Sequence, residues 1–382
     1  MGSGIDSGLA EELGLFRDSV RRFLEKEVVP NRDRWRKEGM VDRALWNKAG
    51  AQGMLLTAIP DGYGGGGGSF HHEVVIIEEL GRIGFLDFAV AMHSAIVAPY
   101  VLHCGTEEQR QRFLPKLASG EYVGALAMTE PGTGSDVQAI RTHARREGDH
   151  YILNGSKIFI TNGWHANFIL VACKTDPNER AKGTSLLALE TDLVQGFRRG
   201  RRLEKIGFKA SDTAELFFDD VKVPAANLIG ATPGQGFVQM MQQLPQERLL
   251  VGVQALAAME AAIAETLTYV KERKAFGKTV MEFQNTKFRL AEAVTETRIA
   301  RVFIERCIED LLAGKLDPVT AAMVKYWTSD KQGEVIDSCL QLFGGYGYMA
   351  EYPISHMWTD ARVQRIYGGT NEIMKEVIAR SL

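Results

Sequence analysis

A tight turn follows a short apolar run about a third of the way along the chain. The run reads YVGALA, and the turn at residues 128–136 reads MTEPGTGSD. A Pro-Gly pair bends the backbone sharply and leaves N–H groups exposed beside side-chain hydroxyls. Such donors suit the edge of a flavin ring and a pyrophosphate. Taken alone, the stretch predicts only a turn.

An earlier glycine run, Gly62 to Gly68, satisfies the GxGxxG pattern. It follows the apolar stretch LLTAI and precedes a helical pattern, as a dinucleotide fingerprint does. A run of glycines matches that pattern by chance, however, and the βαβ repeat of a nicotinamide-binding fold does not follow. A mobile surface loop is the better interpretation.

Four further motifs accompany the turn. They read KIFITNG at 157–163, ERKAFGK at 272–278, QLFGGYGY at 341–348 and IYGGTNEIMKE at 366–376. Each has an ordinary explanation by itself: Arg273 could be a solvated helix arginine, and Gly344 and Gly345 a plain helix stop. Their joint occurrence with the turn favours a functional set.

The hydrophobic pattern divides the chain into three parts. Helical spacing predominates to about residue 120, short apolar or alternating runs broken by turns follow, and long helical patterns then return. The predicted domains are therefore helical (1–120), β (121–234) and helical (235–382). Because the β segments are consecutive, a doubly wound parallel sheet is not expected, and the class is α+β multi-domain.

Local signals refine this division. Thr106 and Gln109 form a capping-box pattern, and Asn154-Gly155 predicts a hairpin turn. Pro245 falls inside a long helical pattern and predicts a kink or a late helix start. Helices are expected over 237–314, 318–343 and 353–380.

Composition excludes several classes of protein. Hydrophobic residues make up 45%, charged residues 24%, and the net charge is -3, so no general attraction to nucleic acid or anionic membranes is expected. The four cysteines contain no CxxC pair, which argues against a zinc site or a disulfide framework. The N-terminus lacks targeting features, and no run of about 18 apolar residues predicts membrane insertion. A cytoplasmic protein is expected.

In this order and at these spacings, the five motifs resemble those of the acyl-CoA dehydrogenase family across nearly the entire chain. LPQERLL at 244–250 and YGGTNEIMKE are most similar to the long-chain type. The resemblance implies an N-terminal helical domain, a middle β domain and a C-terminal four-helix-type bundle. It also implies FAD-dependent conversion of a fatty acyl-CoA to the trans-2-enoyl-CoA, with electrons passed to an electron-transfer flavoprotein.

The resemblance assigns cofactor contacts residue by residue. Thr129 and the Met128 backbone would lie near the flavin ring, and Gly134 and Ser135 near the pyrophosphate, with Ser135 also near the substrate. The residues expected to flank the isoalloxazine are Phe159, Ile160 and Thr161, and Thr370 and Glu372 are also assigned to the cofactor. Those expected to reach the FAD of a neighbouring subunit are Arg273, Phe276, Gln284, Gln341, Gly344 and Gly345.

This last set implies a homotetramer, a dimer of dimers, in which the planar fork of donors on Arg273 suits a phosphate. Phe159 stands where many relatives carry a tryptophan towards the electron-transfer partner. An aromatic ring is retained, but the replacement leaves docking of that partner undefined.

The catalytic base is the main departure from the family pattern. Many members carry a glutamate immediately before GT, where this chain has Gly368. Glu247 matches the helix position from which long-chain and isovaleryl members present their glutamate, and Gly368 would make room for it. Burial beside an acyl chain predicts a raised pKa for Glu247. Without the resemblance, Glu247 could be an ordinary helix carboxylate paired with Arg248 or Arg273.

The expected substrate contacts are Ser135, Arg248, Gly368 and Gly369. Arg248 would approach the CoA moiety, and the backbone amide at 368 would still polarise the thioester carbonyl. Met92, Ile96 and Tyr100 would line the base of the acyl pocket. Medium-to-long straight chains are the first choice, and branched acyl groups stay open.

Two other functions are compatible with the motifs. An acyl-CoA oxidase would use oxygen, but this chain stops after IMKEVIARSL without the additional C-terminal domain of such oxidases. A non-catalytic acyl-CoA or flavin-binding protein of the same fold would explain Gly368. Glu247, Arg273 and the intact flavin motifs count against that alternative.

Overall fold

The N-terminal part of the chain is helical. A computed structural model describes residues 6–382. The first five residues of the predicted N-terminal domain, which also begin the segment without targeting features, lie outside the described residues. The capping box of Thr106 and Gln109 is present and starts the sixth helix. The six helices are α1 (Ser7–Phe23), α2 (Arg32–Glu38), α3 (Arg43–Ala51), α4 (Phe70–Arg82), α5 (Ala98–Cys104) and α6 (Glu107–Ala118).

Two π-helical turns extend this set. Leu24–Val28 continues α1, and Met92–Val97 runs directly into α5. Turns of this kind are rare and often lie at functional sites. The second one includes Met92 and Ile96, two of the residues expected at the acyl pocket.

A seven-stranded sheet forms the middle of the chain. Its order is β1-β4-β2-β3-β7-β6, and β5 pairs with the other side of β4. Most neighbours are antiparallel, whereas β1 and β2 each pair with β4 in parallel. The strands are β1 (Gly124–Ala127), β2 (His143–Glu147), β3 (His150–Thr161), β4 (Phe168–Lys174), β5 (Thr184–Glu190), β6 (Phe197–Arg202) and β7 (Thr213–Pro224).

The predicted hairpin turn at Asn154-Gly155 is wrong. Both residues lie inside β3, where the pairing with β7 shifts register between Leu153 and Gly155. The reversal between β2 and β3 lies instead at Gly148, which has φ +60°. Asn-Gly here marks a β-bulge, since a glycine inside a strand is also typical of such an irregularity.

The C-terminal part returns to helices. The expected helix over 237–314 is two helices separated by a short hairpin, and the expected helix over 353–380 is broken by a 3₁₀ turn and a loop. The elements are α7 (Gly236–Glu272), β8 (Lys274–Ala275), β9 (Lys278–Thr279), α8 (Gln284–Leu312), α9 (Pro318–Leu342), α10 (Pro353–Ala361) and α11 (Asn371–Ala379). The helical, β, helical order and the α+β class are confirmed.

Helix α7 is the central helix of this part. It runs uninterrupted through Pro245, so the predicted late start is wrong. Among residues 6–382, α7 alone has the length and hydropathy of a membrane span, but 78% of its most apolar window is buried inside the protein. It packs against α4, α8 and α9, and that burial accounts for its hydropathy.

The glycine run lies at the surface as predicted, but it is not a loose loop. The amides of Gly66, Gly67 and Gly68 donate to the carbonyls of residues 56, 59 and 57, at 3.0, 2.9 and 2.9 Å. These hydrogen bonds hold the glycine run against the residues that precede it. Because the three amides are already used, they are unable to bind a pyrophosphate. The dinucleotide interpretation therefore has no support in the fold.

The three domains meet at two buried aspartates. Asp87, which follows α4, accepts a hydrogen bond from the Ala210 amide at 2.8 Å, and Asp360 on α10 accepts one from the Phe208 amide. Burial raises the pKa of both carboxyl groups, and for Asp360 the repulsion from Asp87 raises it further. The loop between β6 and β7 is thus fastened to both helical domains.

A carboxyl group whose pKa is raised by folding contributes stability that is lost as pH rises through its folded-state pKa. We expect Asp360→Asn, which keeps an acceptor for Phe208 but carries no charge, to flatten the fall in the free energy of unfolding with rising pH, by up to about 1.4 kcal/mol per pH unit. Urea unfolding across pH would measure this. The exposed control Asp219→Asn should follow the wild type; an identical slope for Asp360→Asn would contradict the expectation.

Candidate active site

The turn at 128–136 is anchored by a buried lysine on β3. The Lys157 ammonium donates to the Met128 carbonyl at 2.7 Å and to Glu130 Oε1 at 2.9 Å. Glu130 in turn accepts the amides of Arg141 and Thr142 at 2.6 and 2.9 Å. Burial lowers the pKa of Lys157, and the Glu130 carboxylate counteracts that effect. One ion pair therefore fixes the start of the turn to β3 and to the backbone at Arg141 and Thr142, which follows the turn.

The predicted flavin-contacting residues come together beside this anchor. The Ile158 amide donates to the Thr129 carbonyl at 3.0 Å, which places Thr129 next to Phe159. Phe159 has φ +62° and is 64% exposed because a bulge in β3 turns it outward. A β-carbon added to Gly134 would lie 3.9 Å from Thr129 Cγ2, so the turn brings Gly134 close to Thr129.

Backbone donors on the turn fit an anion. Within residues 6–382, the amides of Gly134 and Ser135 donate to no protein acceptor, and both residues are exposed. Unused amides on a tight turn are suited to phosphate oxygens. The donor set thus fits the pyrophosphate of a flavin dinucleotide.

A second exposed cluster lies at the end of α7. The Arg273 guanidinium sits 5.2 Å from the centre of the Tyr346 ring, which joins it to the loop that carries Gly344 and Gly345. Phe276, on the β8–β9 hairpin, is 96% exposed. Gln284 and Gln341 are exposed as well. The contact of these exposed side chains with a neighbouring subunit stays a prediction.

Glu247 is buried on α7. The residue is 8% exposed, and its Oε1 accepts a hydrogen bond from the Tyr100 hydroxyl at 2.8 Å. Burial raises the pKa of Glu247 to about 7, against the opposing effects of Tyr100 and Arg248. The expected upward shift is confirmed. Among the described residues, no arginine lies within ion-pair distance of Glu247, so the ordinary ion-pair explanation fails.

Arg248 is a buried cation that has no hydrogen-bond acceptor among residues 6–382. It is 7% exposed, and in the part of the chain that the structure describes its Nε makes no hydrogen bond. Burial lowers its pKa, although Glu247 nearby opposes this. Since a buried charge is costly unless it is paired, Arg248 is suited to a polar or anionic ligand group.

Gly368 lies over the same face of α7. Its φ is +65°, and an added β-carbon would meet only Val251 Cγ2, at 3.7 Å. Val251 is one helical turn beyond Glu247, so the loop lies over the face of α7 that carries Glu247. The Gly368 amide donates to no acceptor within residues 6–382. This arrangement leaves a backbone donor near a carboxylate base candidate.

The loop at 368–371 is clamped by α9. The Lys325 ammonium, which is buried, donates to the Gly369 carbonyl at 2.7 Å and to Asn371 Oδ1 at 2.8 Å. Burial lowers the pKa of Lys325 to about 8. Thr370 caps α11 by accepting the Ile373 amide at 3.3 Å, and Glu372 is exposed in the first turn of that helix.

Comparison with known proteins agrees with this site. Three family models match: the N-terminal domain of acyl-CoA dehydrogenases over residues 10–121, the middle domain over 125–221 and the C-terminal domain over 234–382. The chain belongs to the acyl-CoA dehydrogenase family. It is therefore an FAD-dependent oxidoreductase, as predicted.

Individual relatives are similar over nearly all of this chain. The chain is 47% identical to the mitochondrial long-chain specific acyl-CoA dehydrogenase of Sus scrofa over 99% of this chain and 88% of that protein. A crystal structure of an acyl-CoA dehydrogenase from Geobacillus kaustophilus has a TM-score of 0.95 at 47% identity, covering 100% of this chain and 99% of that one. A structure described as the electron transferring flavoprotein of Acidaminococcus fermentans has a TM-score of 0.94 at 36% identity, covering 100% and 99%.

Motif reasoning missed the residues that hold this acyl-CoA dehydrogenase site in shape. Lys157 and Lys325 are not among the predicted site residues, but they donate to the carbonyls of Met128 and Gly369 and so anchor the two loops. A signal existed for Lys325, because it lies in the apolar stretch AAMVKYW, where helical spacing places it beside Ala321 and Ala322. A lysine on the buried face of a helix indicates a buried polar partner.

We expect Lys325→Met to release the loop that carries Gly368. The Gly369 carbonyl and Asn371 would each lose a buried hydrogen bond to a charged group, which costs about 2 to 5 kcal/mol of unfolding free energy in all. Chemical denaturation would measure the loss of unfolding free energy. The rate of flavin reduction by acyl-CoA, measured by stopped flow, would show whether the displaced loop impairs the reaction. Lys315→Met, at an exposed site, is the control. Full retention of both stability and reduction rate would show that the clamp is dispensable.

Proposed function

We propose that this protein catalyses the α,β-dehydrogenation of medium-to-long straight-chain acyl-CoA thioesters, with Glu247 as the catalytic base. The observation that carries the proposal is a buried glutamate on α7 whose pKa is raised to about 7, beside a loop whose usual glutamate is Gly368. A base is most effective when its pKa lies near the working pH. The 47% identity to a long-chain specific relative supports the chain length.

In the proposed reaction, different groups of the chain bind the proton, the thioester oxygen and the CoA portion. Glu247 Oε2 accepts no hydrogen bond from the described residues and is not fully enclosed, so it is able to take the proton from the carbon next to the thioester carbonyl. Bound FAD would supply the hydride acceptor for the adjacent carbon. The Gly368 amide is a donor for the thioester oxygen, where negative charge develops as the proton leaves. Arg248 supplies positive charge for the CoA portion.

FAD itself would be held by two sets of groups. The unused amides of Gly134 and Ser135, with Thr129 and the Phe159–Thr161 segment, fit the flavin edge and pyrophosphate. The exposed Arg273 cluster would complete the site of a neighbouring copy. We propose a homotetramer on this basis, supported by exposed apolar side chains along α8, namely Phe288, Val294, Ile299 and Val302.

We expect Glu247→Gln to slow anaerobic bleaching of the flavin by acyl-CoA at least about 100-fold, because a positioned general base contributes roughly that much. Stopped-flow absorbance with thioesters of graded length would measure it, and for the wild type the medium-to-long straight chains should bleach fastest. Glu265→Gln, on the same helix, is the matched control and should behave as the wild type.

The double variant Glu247→Gln with Gly368→Glu tests whether both positions reach one carbon. Only partial rescue is expected, since the left-handed backbone at 368 costs a non-glycine residue roughly 1 to 2 kcal/mol. Bleaching by Glu247→Gln at the wild-type rate, with FAD bound, would show that another group is the base.

An electron-transfer flavoprotein is the proposed acceptor. Support comes from the exposed aromatic rings of Phe159 and of Trp164, five residues further along the chain, and from the structural likeness to a chain in a structure described for the electron transferring flavoprotein of Acidaminococcus fermentans. Exposed apolar side chains in a group are typical of docking surfaces.

We expect substrate-reduced protein to reoxidise slowly in air and rapidly when an electron-transfer flavoprotein is added, because exposed rings at the flavin edge offer a partner direct contact. Absorbance of the flavin and a peroxide assay would follow both reactions. Prompt formation of one peroxide per flavin in air would instead identify an oxidase.

A further inference from the structure

The Tyr100–Glu247 hydrogen bond joins two domains. Tyr100 lies on α5 in the N-terminal domain, Glu247 lies on α7 in the C-terminal domain, and the hydroxyl and Oε1 are 2.8 Å apart. Tyr100 is 0% exposed. The other carboxylate oxygen, Oε2, accepts no hydrogen bond from the residues that the structure describes. The two oxygens of Glu247 therefore have different environments.

The helices that carry this pair are locked together independently of it. Gln246 Nε2 donates to the Ala95 carbonyl in the π-turn at 2.8 Å. One turn earlier on α7, Gln243 Oε1 lies 3.2 Å from His103 Nδ1. Because these contacts flank Glu247, loss of the Tyr100 hydroxyl alone would leave the helix register unchanged.

We propose that Tyr100 is a positioning residue, whose hydroxyl holds one oxygen of Glu247 and leaves the other free to take the substrate proton. This inference rests on the proposed role of Glu247 as the base. Without the hydroxyl, a glutamate side chain with three rotatable bonds has no described polar partner to fix its carboxylate. Fixed placement of a base relative to the reacting carbon is a large part of its effect.

The hydroxyl also favours the ionised carboxylate. Burial raises the pKa of Glu247, and the hydrogen bond from Tyr100 and the charge of Arg248 lower it. Two further titratable groups lie close to this set: Cys104 near Tyr100, and Lys325 near Arg248. Tyr100 cannot replace Glu247 as the base, because burial and the adjacent carboxylate raise the pKa of its phenol well above the ordinary value.

The test is the pH dependence of flavin reduction in the FAD-loaded protein. For wild type the rate should rise with pH around the titration of Glu247. In Tyr100→Phe the midpoint should move about 1 to 2 pH units higher, because a hydrogen bond to the charged form is lost. Near neutral pH the rate should fall about tenfold or more.

Tyr122→Phe is a matched control. The Tyr122 hydroxyl donates to Glu190 Oε1 at 2.6 Å, so it is also a buried tyrosine–glutamate pair, but it lies away from the site. Its removal should lower stability and leave the pH midpoint unchanged. A midpoint in Tyr100→Phe equal to that of wild type would overturn the proposal.

A second variant avoids dependence on the folding of Tyr100→Phe. A 3-fluorotyrosine at position 100 keeps the ring and hydroxyl but is a stronger donor, so the midpoint should move lower. The carboxyl stretching band of Glu247, identified in infrared difference spectra against Glu247→Gln, should titrate with the same shifts. If this band does not move in the fluorotyrosine protein, Tyr100 does not act on Glu247.

The two proposals fail in distinguishable ways. If Glu247→Gln reduces flavin at the wild-type rate, the base has been assigned wrongly. If Glu247→Gln is inactive while both Tyr100 variants keep the wild-type midpoint, only the positioning role fails.

Discussion

The burial of one carboxylate between two domains is the constraint on which this site depends. Glu247 is buried on α7, and the hydrogen bond from Tyr100 is the only one that its carboxylate accepts from the residues that the structure describes. Burial favours the protonated form and the hydrogen bond favours the ionised form. Their balance holds the pKa of Glu247 at about 7, where it can both lose and accept a proton. A surface glutamate would titrate near about 4.3 and would be a far weaker base.

The remaining elements keep that carboxylate in register with two loops. Lys157 and Glu130 fasten the turn that carries Thr129, and Lys325 with Asn371 fastens the loop that carries Gly368. Both lysines are buried and donate to backbone carbonyls. Burying an ammonium group costs free energy of desolvation, and well-placed acceptors are needed to offset that cost. Each loop is therefore defined by a charge that takes no part in the chemistry.

Much of this was predictable from sequence, and the limits have physical causes. The three-part order, the capping box at Thr106 and the family followed from periodicity and motifs, because those depend on local residue types. The Asn154-Gly155 turn was misplaced because Asn-Gly fits a bulge within a strand as well as a hairpin, and only the pairing with β7 distinguishes them. The contact of Tyr100 with Glu247 joins residues 147 positions apart, and no local pattern encodes such a pairing.

Gly368 explains how the proposed base can lie on a helix instead of the loop without disturbing the rest of the site. In the proposed site the loop contributes its backbone and no side chain. The Gly368 amide donates to no acceptor in the described residues, and Lys325 holds the loop through the Gly369 carbonyl. A φ of +65° is readily adopted by glycine and is strained for a glutamate. Once α7 carries the carboxylate, a side chain at 368 adds strain without a function. Glycine there relaxes the loop while the amide donor keeps its place, so the vacancy at 368 and the glutamate at 247 are two parts of one arrangement.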